Sequence, residues 1–273
     1  MREPQLAGKV AIVTGAGRMR SIGRPIAVAL ARDGCDVVLT GTGRKPEDYP
    51  EDEKQVGWCD IEAVADEVRA QGRRALPLVS DVRSSKAIGE LVARCISEFG
   101  RVDILINNAG AARGKDRVPV VDLDEDVWRN VIDTNLTGSF LMSRAVARQL
   151  IKQNSGGRIV NISSIAGKTH GANTAAYAAS KAGLQSLTAS MAAELAQYQV
   201  TVNAVLPGMI DTFRMDDLGR GENWGRMIKQ RVPLGRAGTG EDIAHMTAFL
   251  CSPQADWITG QCYVVDGGTV RRG

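Results

Sequence analysis

The sequence predicts an α/β domain built on a doubly wound parallel sheet of about seven strands flanked by helices. Two observations carry that prediction. Apolar, β-branched runs alternate with longer stretches of helical period from end to end, the pattern of strands buried on both faces beneath covering helices. The first run, residues 9–14 (KVAIVT), leads into a glycine-rich turn and then an amphipathic stretch, the order in which an open sheet builds an anion site.

Taken in order, the expected strands are 9–14, 36–40 (DVVLT), 74–80 (RALPLVS), 102–108 (VDILINN), 157–164 (GRIVNISS), 200–207 (VTVNAVLP) and 262–267 (CYVVDG). Segments of helical period fill the gaps at 22–33, 61–71, 86–99, 127–152 and 175–198, and a further helix begins near Gly240. No linker rich in Pro, Gly or Ser divides the 273 residues and no segment repeats, so 1–273 reads as one domain. Two stretches break the rhythm. The first, near 43–60, is strongly charged and longer than a usual strand-to-helix connection. The second, 209–236, separates the sixth strand from the last helix. Both leave the carboxyl edge of the sheet, where ligands bind in open α/β folds. The first reads equally as an inserted surface loop; the second reads as a substrate lid.

Composition narrows the function. Hydrophobic residues make up 44% and charged residues 24%, a globular balance. The net charge of +3 comes without any basic block, which argues against nucleic acid or an anionic membrane as the main partner. There is no apolar run of transmembrane length and no signal-peptide core in MREPQLAGKV. Five scattered cysteines, odd in number and without a C-x-x-C pair, read as reduced thiols in a cytoplasmic protein. With only His170 and His245 as imidazoles, no metal site is expected.

The turn itself, VTGAGRMRSIGRPIA at 13–27, departs from the G-x-G-x-x-G spacing of a dinucleotide site. Gly15 and Gly17 fit, the third position falls on Arg20, and Gly23 arrives three residues late. Gly15 suits the tight turn, Gly23 permits close helix–strand packing, and amides at the helix start near Ile22 would face an anion. A merely structural turn is the alternative.

Motifs further along decide between them. TGAG (14–17), DV (81–82), NNAG (107–110), NLTG (135–138), NISS (161–164), YAASK (177–181), PG (207–208), PLGRAGTGEDIA (233–244) and VDGG (265–268) occur in that order. Together they resemble the short-chain dehydrogenase/reductase family over essentially the whole chain, in particular its 3-oxoacyl and carbonyl reductases. The resemblance implies a Rossmann-type fold. The lengthened glycine loop, with Ser21 in the place of a middle glycine, is similar to that of the family's divergent enoyl reductases, in which a serine hydroxyl contributes to pyrophosphate binding.

Tyr177 and Lys181 stand four apart on an expected helix and so share one face. A free phenol titrates near ~10, and a neighbouring ammonium lowers that value toward neutrality. Ser164 precedes the tyrosine by thirteen residues, as in the family; Ser163 is its competitor. The resemblance implies that Tyr177 is the general acid/base, that Ser164 donates to the substrate carbonyl, and that Asn135 interrupts a helix and holds a water linked to Lys181. For the cofactor it implies contacts from Gly15, Gly17, Arg18, Ser21, Ile22, Gly23, Asp81, Val82, Asn108, Gly110, Pro207 and Gly208. It also has Lys181, beside Tyr177, on the nicotinamide ribose, and Thr212 on the carboxamide.

The end of the second strand, VVLTGTGRK, carries no acid before Glu47. Thr40, Thr42 and Arg44, with Arg18, instead suit a ribose phosphate, so NADP is expected, with NAD open because the long loop can fold back. The expected reaction is hydride transfer to a ketone or from a secondary alcohol. The alternatives are an NAD-dependent alcohol or polyol dehydrogenase, and a silent nucleotide-binding scaffold. Enoyl reduction is disfavoured, because six residues between Tyr and Lys would put Leu184 in the lysine position. The lid offers Phe213, Met215, Leu218, Trp224 and Met227 beside Arg214, Arg220 and Arg226, a lining for an apolar or acyl-like ketone with a polar end, or simply helix packing. His170 and Asn173 lie between the serine and the tyrosine and read as loop residues or pocket lining. Alanine-rich helices at 127–152 and 175–198, with the family resemblance, imply a homo-oligomer, a dimer or tetramer.

Overall fold

A computed structural model describes residues 5–219 and 221–270. Seven parallel strands form one sheet in the order β3-β2-β1-β4-β5-β6-β7. They are β1 (Val10–Val13), β2 (Asp36–Gly41), β3 (Ala75–Val79), β4 (Ile104–Asn107), β5 (Gly157–Ile162), β6 (Val200–Pro207) and β7 (Cys262–Val265). The chain moves outward from β1 to β3, then crosses back to place β4 on the other side of β1, in register Ala11↔Ile104 and Val13↔Ile106. A crevice opens at that reversal, outside the carboxyl ends of β1 and β4.

Strand period two explains the burial. Ala11 and Val13 point into a core with α1 (Gly23–Arg32) and α3 (Asp60–Ala70). Val10 and Ile12 point into the opposite core, with α4 (Ser85–Phe99) and α6 (Gly138–Gln153). The first core also takes in α10 (Gly240–Cys251) and the second α8 (Ala175–Leu195). With both faces covered, the strands had to read as unbroken apolar runs.

Three features differ from the sequence reading. The segment expected as one helix at 127–152 is α5 (Glu125–Ile132) and α6, joined by a π-helical turn at Asp133–Thr137. The charged stretch after β2 is partly ordered, with a 3-10 turn (Pro46–Asp48) and a short α2 (Glu51–Gln55). The stretch after β6 contains a 3-10 turn (Phe213–Leu218) and α9 (Glu222–Arg231). A four-residue α7 (Ala166–Thr169) lies between β5 and α8. All five cysteines are free thiols. Among the described residues no helix is long and apolar enough to cross a membrane.

Candidate active site

Tyr177 sits in the first turn of α8, half-buried, with Lys181 one turn on and buried. Ser164 follows the end of β5 and is buried, at the sheet edge where an open fold presents side chains to a ligand. The helix turn and the strand end bring Ser164, Tyr177 and Lys181 together. Ser164 lies beside Tyr177 and helps to lower its phenol, and it accepts a hydrogen bond from the Ala166 amide at 3.1 Å. Its competitor Ser163 faces away, donating to the Lys181 carbonyl at 3.0 Å. Burial pushes the Tyr177 phenol up, but Lys181, then Arg214, Ser164 and Arg117 together bring it below its ordinary value. Lys181 Nζ lies 5.8 Å from the Tyr177 ring centre and donates to the Ile162 carbonyl at 2.8 Å. Burial lowers its own pKa, against the pull of Tyr177.

Asn135 lies inside the π-helical turn, fully buried. Its Oδ1 accepts from the Ala111 amide at 2.8 Å and its Nδ2 donates to Ser180 Oγ at 3.0 Å. It therefore ties the strand-4 loop to α8, the helix that carries the tyrosine.

The glycine-rich turn follows β1. Gly15 has φ +66°, and a Cβ there would come within 2.7 Å of Ala109 Cα, so the backbone of two loops meets where only glycine fits. Asn108 clamps the turn by donating to the Thr14 and Gly15 carbonyls, both at 2.9 Å. At Gly23 a Cβ would lie 2.5 Å from that same amide nitrogen. Helix α1 then opens with no acidic residue in its first turn; the Arg24 amide is taken by Ser21 Oγ and Pro25 has none, so the amides at Ile22 and Gly23 are the ones that can meet an anion. This cradle, with its close backbone approach, fits a dinucleotide phosphate.

The comparisons agree with this geometry. A family model described as enoyl-(acyl carrier protein) reductase matches residues 15–270. The chain belongs to the short-chain dehydrogenase/reductase family. It is 35% identical to a 2-dehydro-3-deoxy-D-gluconate 5-dehydrogenase of Dickeya dadantii (strain 3937), over 98% of this chain and 97% of that one. It is 38% identical to a 3-oxoacyl-[acyl-carrier-protein] reductase of Synechocystis, over 97% and 98%. Among solved structures, a short-chain alcohol dehydrogenase from Sinorhizobium meliloti 1021 superposes with a TM-score of 0.86 at 34% identity, covering 98% of each chain. An acetoin dehydrogenase from Enterobacter cloacae gives 0.78 at 39%, covering 96% of this chain and 95% of that one.

As a short-chain dehydrogenase/reductase the chain is an oxidoreductase acting on CH–OH or C=O groups with a nicotinamide cofactor, and its 43–60 segment bears directly on the cofactor cradle. That segment folds back over the glycine turn. Glu53 is 1% exposed; it accepts from the Met19 amide at 2.8 Å and from Arg44 at 2.7 Å. Arg44 also pairs with Asp60 at 2.9 Å, and Trp58 Nε1 donates to the Gly17 carbonyl at 2.6 Å. A Cβ on Gly17 would collide with the Asp60 carboxylate, and one on Gly41 would come within 3.7 Å of Asp60 Oδ2. Asp60 holds φ +50°, and its Oδ2 is buried without a hydrogen-bond partner. Arg20 fastens three segments at once, bonding Asp52 of the insertion at 2.6 Å and Asp216 of the 209–236 stretch at 2.9 and 2.5 Å.

The residues expected at the cofactor are placed by their own packing and hydrogen bonds. Thr40 is buried, and it meets the glycine turn through its carbonyl, which accepts from the Ala16 amide, rather than through its hydroxyl. Thr42 is exposed. Arg44 is held by two carboxylates instead of standing open to a phosphate. Ser21 Oγ closes its own loop, donating to the Arg18 carbonyl at 2.8 Å and accepting from Arg24. Arg18 stacks on Phe213, 4.0 Å from the ring centre. Asp81 pairs with Arg83, which holds its carboxyl below the usual range, and Val82 packs against Gly138. Gly110 lies against Asn135 and Arg214. Pro207 ends β6, Gly208 is pressed to Asp266, and Thr212 is buried at the start of the next turn. His170 and Asn173 are exposed, both at positive φ, and Arg220 lies outside the described residues. Asp60, Glu53 and Trp58 were missed because a charged stretch reads as solvated. Arg113 and Arg117, which converge on Tyr177, were missed although AARGKDR directly follows NNAG.

Proposed function

We propose that this chain moves a hydride between a nicotinamide dinucleotide and a ketone or secondary alcohol, with Tyr177 as general acid/base. The observation that supports this best is Tyr177 at the sheet's carboxyl edge, with Ser164 beside it and its phenol pulled below its ordinary pKa by Lys181. The backbone amides of the Gly15–Gly23 turn and the start of α1 would hold the pyrophosphate, with Asp81 and Val82 by the adenine, Asn108 and Gly110 along the inner edge, and Lys181 and Thr212 at the nicotinamide end. Bound there, the dinucleotide supplies or accepts the hydride.

Everything else falls to the chain. In reduction Tyr177 Oη gives its proton to the carbonyl oxygen, and in oxidation the phenolate takes the alcohol proton. Ser164 Oγ donates to the same substrate oxygen as charge develops on it. Lys181 stabilises the phenolate. Asn135 keeps the strand-4 loop and α8 in register through its two hydrogen bonds. Four-residue Tyr–Lys spacing favours carbonyl over enoyl chemistry, in line with relatives named as a dehydrogenase and a 3-oxoacyl reductase. Tyr177→Phe should lower turnover by about 10²-fold or more while nucleotide binding persists; a variant retaining over a tenth of the wild-type rate would remove Tyr177 from this role. Nucleotide binding with no turnover of any carbonyl would favour the scaffold reading instead.

For the cofactor, the folded-back insertion supports NAD over the NADP expected from Arg18 and Arg44. An acid near the end of the second strand bonds the ribose hydroxyls in NAD sites. Here Asp60 brings a carboxylate to that end from the start of α3, and it takes up Arg44 as it arrives. A 2′-phosphate would meet that carboxylate. Fluorescence titration should give NADH a dissociation constant at least tenfold below that of NADPH, and Asp60→Asn should narrow the gap; tighter NADPH binding by the wild-type chain would overturn the assignment.

The same reading makes the enzyme a cytoplasmic homo-oligomer. Strand β7 is an edge of the sheet; Leu234, largely exposed, donates its amide to the Gly267 carbonyl just past that strand, and Trp257 is fully exposed.

A further inference from the structure

Three arginines converge on the phenol that handles the proton. Arg113 and Arg117 come from the loop after β4, and Arg214 from the 3-10 turn after Thr212. The Arg117 guanidinium lies 4.6 Å from the Tyr177 ring centre and that of Arg214 lies 5.1 Å away. Arg113 interacts electrostatically with both Tyr177 and Arg214. Arg214 donates Nη1 to the Ala111 carbonyl, beside Gly110. Two of the three have acidic neighbours: Arg113 pairs with Asp217, and Arg117 lies 3.0 Å from Asp116. Among the described residues no carboxylate pairs with Arg214. Lys181 adds a further positive charge on the same ring.

This arrangement is costly without an anion. Arg117 is only 16% exposed in its side chain, and its Nη1 is buried with no hydrogen-bond partner, the approach to Asp116 being too oblique for one. A buried donor left unmet loses its hydration with nothing in exchange. Burial lowers the pKa of both Arg113 and Arg117, and the charge of Arg214 adds to that. Helix packing does not account for the cluster, because all three side chains come from loops and a 3-10 turn.

We propose that the substrate is a short keto acid or hydroxy acid whose carboxylate is bound by Arg117 and Arg214, with Arg113 completing the positive rim. This rests on the carbonyl chemistry proposed above and names its substrate class. The planar guanidinium fork matches a carboxylate with two parallel hydrogen bonds. Because the guanidiniums lie against the ring of the proton donor, the carboxylate must sit within a short chain of the reacting carbon. A neutral ketone leaves the arginines unmatched.

The test compares levulinate and acetoacetate with their methyl esters, which keep the ketone but replace the charged carboxylate by a neutral group one methyl larger. Binding is measured by calorimetry with whichever of NADH and NADPH binds more tightly, and turnover is followed on the same compounds. At least one acid should bind tenfold or more tightly than its ester. Arg117→Met and Arg214→Met should each erase most of that ratio, while Arg117→Lys should keep part of it. If a variant does not fold, the wild-type ratio and its decline with added salt decide the matter. Esters binding as well as acids, no binding by either acid, or an acid preference that survives both methionine variants would overturn the inference. Ester turnover without acid preference sinks this proposal and leaves the oxidoreductase reading standing. Acid binding with no carbonyl turned over does the reverse.

Discussion

Lys181 and Tyr177 are set against each other by burial: the medium resists both charged forms, and each charge supports the other. Since the phenol ends below its ordinary value, the base needed for alcohol oxidation is present at lower pH than a free tyrosine would allow. The rate constant kcat/KM for oxidation should therefore rise with pH to a plateau whose midpoint lies below ~10, and fall with pH in reduction. Lys181→Met removes the strongest downward pull, so its oxidation profile should move to higher pH; an unmoved midpoint would show that the ammonium does not tune the phenol. The tyrosine, lysine and serine were legible in the sequence because helix period and strand ends fix where side chains point. Asp60 was not, since its position depends on a loop that doubles back.

At the scale of the element, the insertion shows how composition misleads. PEDYPEDEK reads as solvated surface, yet Glu53 from this run is buried and tied to Arg44 and to the Met19 amide. Local pattern says nothing about such closure, because the partners lie on other segments. Removing one member of a buried pair costs about 3 kcal/mol, so Glu53→Gln should lower the unfolding midpoint by several degrees and weaken nucleotide binding as the glycine turn loses its cover. A midpoint within a degree of wild type would mean the pair carries no weight. The break between α5 and α6 was equally hidden from periodicity. A π-turn changes the helical phase by one residue and leaves the apolar pattern almost intact, while turning Asn135 inward to the Ala111 amide.

Across the whole molecule, the parallel sheet of about seven strands and both covering layers were readable because a parallel sheet needs apolar strands and a helix at every crossover. Association is a different matter, as the exposed side chains that bear on it are few. Trp257 stands fully in solvent and Leu234 is mostly exposed near the open edge of β7. Light scattering at micromolar concentration should give a mass of at least twice the 29.2 kDa chain, and Trp257→Glu should shift it downward. A wild-type monomer would set the homo-oligomer aside.

The carboxylate of residue 60 occupies the volume a methyl group on residue 17 would need. The two positions are thus mutually exclusive tenants of one space. While the strap returns over the turn, residue 17 is confined to glycine for want of room, not for want of backbone freedom. A descendant that shed the strap would be released from that restriction, and alanine could enter where it is now barred.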